Sequence, residues 1–354
     1  MLTINDVQTS IGTLPRVQLA TLPTPLQYME NLSRLWGTTV YMKRDDLTGL
    51  AFGGNKTRMF EFLLAVAQQE GADCVIAGAQ AQSNYCRQMA AACSKLGLDC
   101  YLPLRRIRGE KDNPVQGNLF LDLLVGAHVA LIDEDMNGQQ QTMRALTEQL
   151  KKAGRKPFMA RITEDHVALE SIGYVECFLE IASQSKAAGF TPTHVYVSAY
   201  DATQSGLELA VKALGMDVEI IGIAPGTWEQ GGAPVKIAKY ANDAAKLLGI
   251  KVEVTPDDIA NTEEYAGAYG YPTPEGLESI QVVARAEGVI LEPVYTAKAM
   301  AGLMDHIRKG QLGSKDKIVF LHTGGTPAIF AYTDELREKC KPLADSVERF
   351  LADS

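Results

Sequence analysis

The chain reads as an α/β protein whose parallel sheets are covered by helices on both faces. From residue 70 onward, short apolar segments alternate with helix-like ones, and parallel strands need crossover helices that shield the sheet. Length is the second guide. At 354 residues the chain exceeds one small core and suits two lobes, since domains typically run to about 100–200 residues.

The series opens with Cys74-Val75-Ile76-Ala77 as a short buried strand. Ser83 to Leu96, rich in Ala, Met and Arg, follows as a helix. Asp99 to Leu104 is the next strand, Asn118 to Val125 a helix, and His128 to Ile132 a strand. A polar, amphipathic helix covers Gln139 to Lys152, then a strand lies at Pro157-Phe158-Met159 and a helix runs from Ala168 to Ala187. His194 to Val197 is strand, Gln204 to Leu214 helix, Val218 to Ile223 strand, and Val235 to Leu248 helix. The series closes with helix Pro274 to Glu287, strand Val289 to Val294, helix Ala297 to Lys309 and strand Lys317 to His322.

Ligands of such folds sit beyond the carboxyl ends of the strands. That rule selects the loops Ala79 to Asn84, Ser198 to Thr203, Pro225-Gly226, Tyr295-Thr296 and His322 to Thr326. The Pro/Gly-rich stretch Gly267 to Pro274 is a loop whose tyrosines can face a site.

Composition narrows the function. Hydrophobic content of 46% and charged content of 22% are those of an ordinary globular protein. A net charge of −9 disfavours nucleic acid or an anionic membrane as partner. No apolar run approaches the roughly 18 residues of a membrane span, and Met1 to Asp6 does not read as a signal peptide. None of the six cysteines forms a CxxC pair, and no His/Cys cluster has zinc spacing, so no metal is expected. Buried thiols in a reducing cytoplasm are the expectation. Of the histidines, His128, His194 and His306 read as structural, and His322 as a residue that shapes its Gly-Gly loop.

The chemistry begins at Gly53-Gly54-Asn55-Lys56-Thr57-Arg58. Two glycines let the backbone turn tightly and approach a ligand. A lysine held there could be a Schiff-base nucleophile instead of a surface charge. Ser83-Asn84 can cap the helix they precede. The same helix N-terminus can also hold a carboxylate through its N–H groups and dipole.

Taken together, the sequence resembles the pyridoxal-phosphate (PLP) enzymes of the tryptophan-synthase-β fold type, in the D-cysteine desulfhydrase and 1-aminocyclopropane-1-carboxylate deaminase branch. The resemblance rests on Leu22 to Leu26, Lys43 to Leu47, Gly53 to Arg58, Gln82-Ser83-Asn84, Pro274-Glu275-Gly276, Pro293 to Thr296 and His322 to Gly325, in order along nearly the whole chain. It implies a two-domain fold type II PLP enzyme, each domain an open twisted, mainly parallel sheet flanked by helices. Residues 1–53 and 167–354 would form the large, PLP-binding domain and 54–166 the small one. The resemblance also suggests a homodimer.

The resemblance further implies that Lys56 carries the cofactor as a Schiff base and then removes the substrate α-proton. Asn55 and Asn84 would lie near the cofactor's phenolic oxygen, and Thr323 would hydrogen-bond the pyridine nitrogen. Ser198 to Thr203 would form the phosphate loop, with Tyr200, Asp201, Ala202 and Thr203 binding the cofactor. Ser83, Asn84 and Tyr85 would hold the substrate carboxylate, with Tyr269 and Tyr295 as the active-site tyrosines. Thr296 and Thr323 match the desulfhydrase-like members, whereas the deaminases carry Glu after the tyrosine and lack the second threonine. A neutral hydroxyl beside the pyridine nitrogen does not favour its protonation, which suits β-elimination better than opening a cyclopropane. The expected activity is therefore a PLP-dependent lyase that releases pyruvate and ammonia from a small β-substituted amino acid. Aminocyclopropane-type deamination is one alternative, and a non-catalytic amino-acid binder is another. Two stretches depart from the family. Asp201 would repel a phosphate dianion unless turned away or neutralised, and Thr163-Glu164-Asp165-His166 replaces a Gly/Ser-rich stretch, which makes His166 a substrate-contact candidate.

Overall fold

A computed structural model describes residues 1–199, 201–227 and 232–337. In chain order the first strands are β1 (Leu26–Tyr28), β2 (Thr39–Arg44), β3 (Cys74–Ile76), β4 (Ala79–Gln80), β5 (Asp99–Arg105) and β6 (His128–Ile132). They are followed by β7 (Pro157–Met159), β8 (His194–Ser198), β9 (Glu219–Ile223), β10 (Ala260–Thr262) and β11 (Lys317–His322). The helices begin with α1 (Ile4–Ile11), α2 (Glu30–Trp36), α3 (Asn55–Gln69), α4 (Asn84–Leu96), α5 (Gly117–Leu124) and α6 (Met136–Lys152). After these come α7 (Glu164–Ala187), α8 (Ala202–Leu214), α9 (Ala233–Leu247), α10 (Pro274–Glu287) and α11 (Thr296–Arg308).

Two sheets result. The larger has the order β1-β2-β11-β8-β9-β10 and is parallel except for the antiparallel edge strand β1. Its central strand alternates: Ile318 and Phe320 pack with α10 and α11, while Val319 and Leu321 pack toward α7, α8 and α9. A strand buried on both faces needs apolar residues at every position, and the sequence Ile318-Val319-Phe320-Leu321 meets that need. The smaller sheet, built from residues between 74 and 159, has the order β4-β5-β3-β7, with β6 on β5, and all its pairings are parallel.

The alternation read from residue 70 onward is observed, with one correction. Val289 to Val294 is not a strand. Its buried apolar residues suggested one, but the Glu292 carboxylate turns back to accept the N–H groups of Val294, Tyr295 and Thr296, at 2.9, 2.6 and 2.8 Å. Those donors cap α11 instead of entering a ladder. The five described cysteines are buried and unpaired, while Cys340 lies outside the described residues. No described helix is long and apolar enough to cross a membrane.

Candidate active site

The carboxyl ends of β2, β8 and β11 point to one cleft, and Lys56 stands there in the first turn of α3. The approach to α3 is tight. Gly54 has φ +130°, and a Cβ on it would lie 2.6 Å from Gln88 Nε2. Gly324, at φ +86°, passes so near that its own Cβ would lie 2.6 Å from Gly54 Cα. Only glycine allows two backbones this close in such conformations. Thr48 fixes the turn by accepting the Gly54 N–H at 2.7 Å.

Two residues beyond Lys56, Arg58 anchors the helix from below. It is fully buried and donates to both oxygens of Asp45, at 2.9 and 3.0 Å, and of Glu180, both at 2.8 Å. The Lys43-Arg44-Asp45-Asp46 motif is thus partly scaffold. Lys43 Nζ, also buried, donates to Glu180 at 2.6 Å.

Lys56 opens on a cavity of about 60 Å³. Burial pushes its pKa down to about 8, as does Arg161, against the carboxylates of Asp201 and Glu170. Near neutral pH a useful share of the amine is therefore uncharged. Lys298 is also brought down to about 8 by burial, but its Nζ donates to the carbonyls of Pro225 and Ala268 at 2.8 and 3.2 Å.

Most expected site residues meet at this cavity. Asn55 donates to Thr203 Oγ1 at 3.2 Å, and its N–H donates to the Thr323 carbonyl at 2.9 Å. Asn84 accepts from Asn118 Nδ2 at 2.8 Å at the start of α4. Ser83 caps that helix, accepting the Cys86 N–H at 3.2 Å. The cap is thus observed, and it leaves the first N–H groups of the helix without intrahelical partners. The hydroxyls of Tyr269 and Tyr295 are 2.5 Å apart. Burial, then its neighbour Tyr269, pushes Tyr295 well above the usual phenol range, so it stays protonated. His322 shapes its loop as expected: it is fully buried and its Nδ1 accepts the Gly324 N–H at 3.3 Å.

Other expectations land elsewhere. Tyr200 lies outside the described residues. His166 is not among the residues lining the cavity; its ring stacks on Phe158 at 4.9 Å, and its Nδ1 is buried without a partner among the described residues. Thr296 accepts the Glu292 N–H at 2.8 Å, so its hydroxyl serves the α11 cap. Tyr85 lines the cavity but donates its hydroxyl to Glu170 at 2.8 Å.

Ser198, in the loop selected from the sequence, lines the cavity at the end of β8. Two residues were not foreseen. Arg161, in the loop after β7, donates through Nε to Glu170 at 2.8 Å and through Nη1 to Asp201 at 2.6 Å. Glu170 itself is fully buried on α7. Burial opposes charge on Asp201, but Arg161 and Lys56 outweigh it and hold the carboxyl below its ordinary range. The repulsive acid is therefore neutralised. The rule selecting loops at strand carboxyl ends would have reached Arg161, had it been applied to β7.

A desolvated lysine at the mouth of a parallel α/β sheet, with a helix N-terminus across the cavity, defines an enzyme that condenses an amine with an aldehyde and seats an anion nearby. The comparisons agree. Residues 17–324 match the family described as "Pyridoxal-phosphate dependent enzyme". A putative 1-aminocyclopropane-1-carboxylate deaminase of Pyrococcus horikoshii is 39% identical over 92% of this chain and 96% of that protein. A D-cysteine desulfhydrase of Yersinia enterocolitica is 37% identical over 92% of this chain and 98% of that protein. The crystal structure of an ACC deaminase homologue superposes with a TM-score of 0.84 at 38% identity, covering 94% of this chain and 98% of that one. The chain belongs to the pyridoxal-phosphate-dependent enzymes, in their fold type II branch, and its cofactor is PLP.

The side chains present fit that cofactor. Lys56 would supply the amine, and Asn55, Asn84 and Thr323 border the space a polar ring would take. The N-terminus of α8, with Thr203 and the guanidinium of Arg161 nearby, supplies the donors that a phosphate needs.

Proposed function

We propose that this enzyme is a β-elimination lyase of the D-cysteine desulfhydrase type. Its substrate would be a small amino acid bearing a leaving group on Cβ, and its products pyruvate, ammonia and that group. The observation carrying this reading is the pairing of Lys56, lowered to about 8, with a tyrosine pair whose inner member stays protonated.

When bound, PLP supplies an electron-withdrawing ring conjugated to the substrate amine, which acidifies the α C–H. The chain does the rest. The first N–H groups of α4, behind the Ser83 cap, orient the substrate carboxylate. Lys56 Nζ takes the α-proton; with a pKa near 8, about one molecule in ten has the neutral amine at pH 7. Tyr295 donates a proton to the departing group, held in place by Tyr269. Thr323, neutral and bordering the cavity, does not stabilise a positive ring nitrogen as a carboxylate would. This favours rapid expulsion of a leaving group over ring opening.

Pyruvate release from D- and L-cysteine, chloroalanine, cysteate and aminocyclopropane carboxylate is the test. Pyruvate from the cysteines or chloroalanine supports elimination. A four-carbon keto acid from the cyclopropane alone would replace this reading with the deaminase one.

We also propose a cytoplasmic homodimer. Phe120, Leu123 and Leu124 lie at i, i+3 and i+4 on α5 and, with Val115, leave a run of large apolar side chains exposed. The unpaired buried thiols suit a reducing compartment. A dimeric mass in light scattering is the expected result.

A further inference from the structure

The site already holds an anion beside the start of α8, and the chain itself provides it. The Asp201 carboxylate accepts the Ala202 N–H at 2.6 Å, at the very start of α8. It also accepts from Arg161 Nη1 at 2.6 Å and Nη2 at 3.3 Å. A helix N-terminus beside a guanidinium is the arrangement that receives phosphate. Here a side-chain carboxylate fills it.

The two partners of this ion pair are held very differently. Arg161 is fixed without help from Asp201. Its Nε and Nη2 both donate to Glu170, which is fully buried and also accepts the Tyr85 hydroxyl. Its guanidinium lies over the Tyr85 ring, 4.8 Å from the centroid. The surroundings even hold Arg161 at φ +55°, a left-handed conformation rare for a residue with a Cβ. Asp201 sits at the edge of a loop, borders the cavity, and among the described residues its side-chain hydrogen bonds go to the two groups a phosphate would want. A phosphate dianion and this carboxylate cannot share those donors, because like charges within hydrogen-bonding range repel strongly in a partly desolvated site.

We propose that Asp201 is a resident anion in the phosphate seat, and that the cofactor's phosphate binds by displacing its carboxylate from Ala202 and Arg161. Arg161, still held by Glu170 and Tyr85, then becomes the counter-ion of the phosphate. This rests on the cofactor occupying the site at Lys56. It makes the chain hold phosphate through a guanidinium that first has to be released, so cofactor retention depends on a side chain exchange.

The test uses the full-length apoprotein and three probes: PLP, pyridoxal, which lacks the phosphate, and inorganic phosphate. Binding of the two aldehydes is followed by imine absorbance at roughly 410–430 nm, and binding of inorganic phosphate by the rise in melting temperature. Asp201→Asn should bind PLP at least about tenfold tighter than the wild type, and pyridoxal, which gains only from the freer Lys56 amine, should gain several-fold less than PLP. Inorganic phosphate should stabilise the variant more than the wild type. Arg161→Gln should lower the preference for PLP over pyridoxal by at least about tenfold. Asp201→Gly is run in parallel, so that a folding failure of one variant leaves the other to decide.

Equal or weaker PLP and phosphate binding after Asp201 is replaced would overturn the proposal, as would an equal gain for pyridoxal. So would failure of both phosphates to bind any variant. Absence of the imine band with pyridoxal in every protein would instead count against Lys56 as the condensing amine. In that case the inorganic phosphate arm still decides the role of Asp201.

Discussion

Arg58 and Arg161 stand in clusters of nearly the same chemistry. Each arginine lies between two carboxylates, and in each a tyrosine donates its hydroxyl to one of the acids: Tyr174 to Asp45 at 2.7 Å, and Tyr85 to Glu170 at 2.8 Å. The surroundings differ. Around Arg58 both the guanidinium and Asp45 are 0% exposed, and both carboxylates are bound bidentately. Around Arg161 the side chain is 29% exposed and that of Asp201 16%, and Asp201 borders the cleft. The closed cluster, in which Arg58 and Asp45 are out of reach of water and Glu180 is 12% exposed, fixes the first turns of α3, and with them Lys56. The open one keeps one acid on a loop and can change partners. Equivalent residues therefore act as scaffold or as site according to what water and ligands can reach.

The largest expected effect lies at the residue the closed cluster places. Lys56→Ala should lose both the imine absorbance and all detectable turnover while keeping its melting temperature within a few degrees. Normal turnover in that variant would remove the catalytic assignment. Next comes the comparison itself. Arg58→Met leaves Asp45 and Glu180 without their main partner in a buried site and should cost about 3–5 kcal/mol in urea unfolding. Arg161→Met should cost less, about 1–3 kcal/mol, and show its effect in cofactor affinity. Equal stability losses would erase the distinction between the clusters.

Tyr295→Phe should slow turnover of cysteine by about 100-fold, at the low end for general-acid catalysis. Chloroalanine should suffer less, since chloride needs no proton to leave. Equal losses on both substrates would argue for a packing role. The smallest effect concerns pH. Only the neutral amine of Lys56 condenses with an aldehyde, so the rate with pyridoxal should rise with pH, reach half its maximum near 8 and then level off. A rise continuing to about 10.4, the value of an ordinary lysine, would show that the amine is not desolvated.

Much of this was legible in the sequence because it depends on local pattern. Strands such as Val195 to Val197 and Ile318 to Leu321 are continuous apolar runs, as strands buried on both faces need to be. Lys56, Asn55, Asn84, Thr203 and Thr323 sat in recognisable loops at strand or helix ends, and the fold brings those loops together. What the pattern missed depends on distant partners. Arg161 meets Glu170 nine residues away and Asp201 forty away, and nothing near it in sequence marks those pairings. Asp201 could be recognised as a conflict, but its neutralising partner could not. Val289 to Val294 misled for the converse reason: its apolar residues are buried as a strand's would be, yet Glu292 takes up the N–H groups a ladder would need.

The most direct test of the account is to reduce the PLP-loaded enzyme with borohydride and map the modified residue by mass spectrometry. The pyridoxyl group should be found on Lys56, the amine lowered to about 8 at the strand ends. Its recovery on Lys298, the other lysine lowered to about 8, or on no lysine at all, would contradict the assignment.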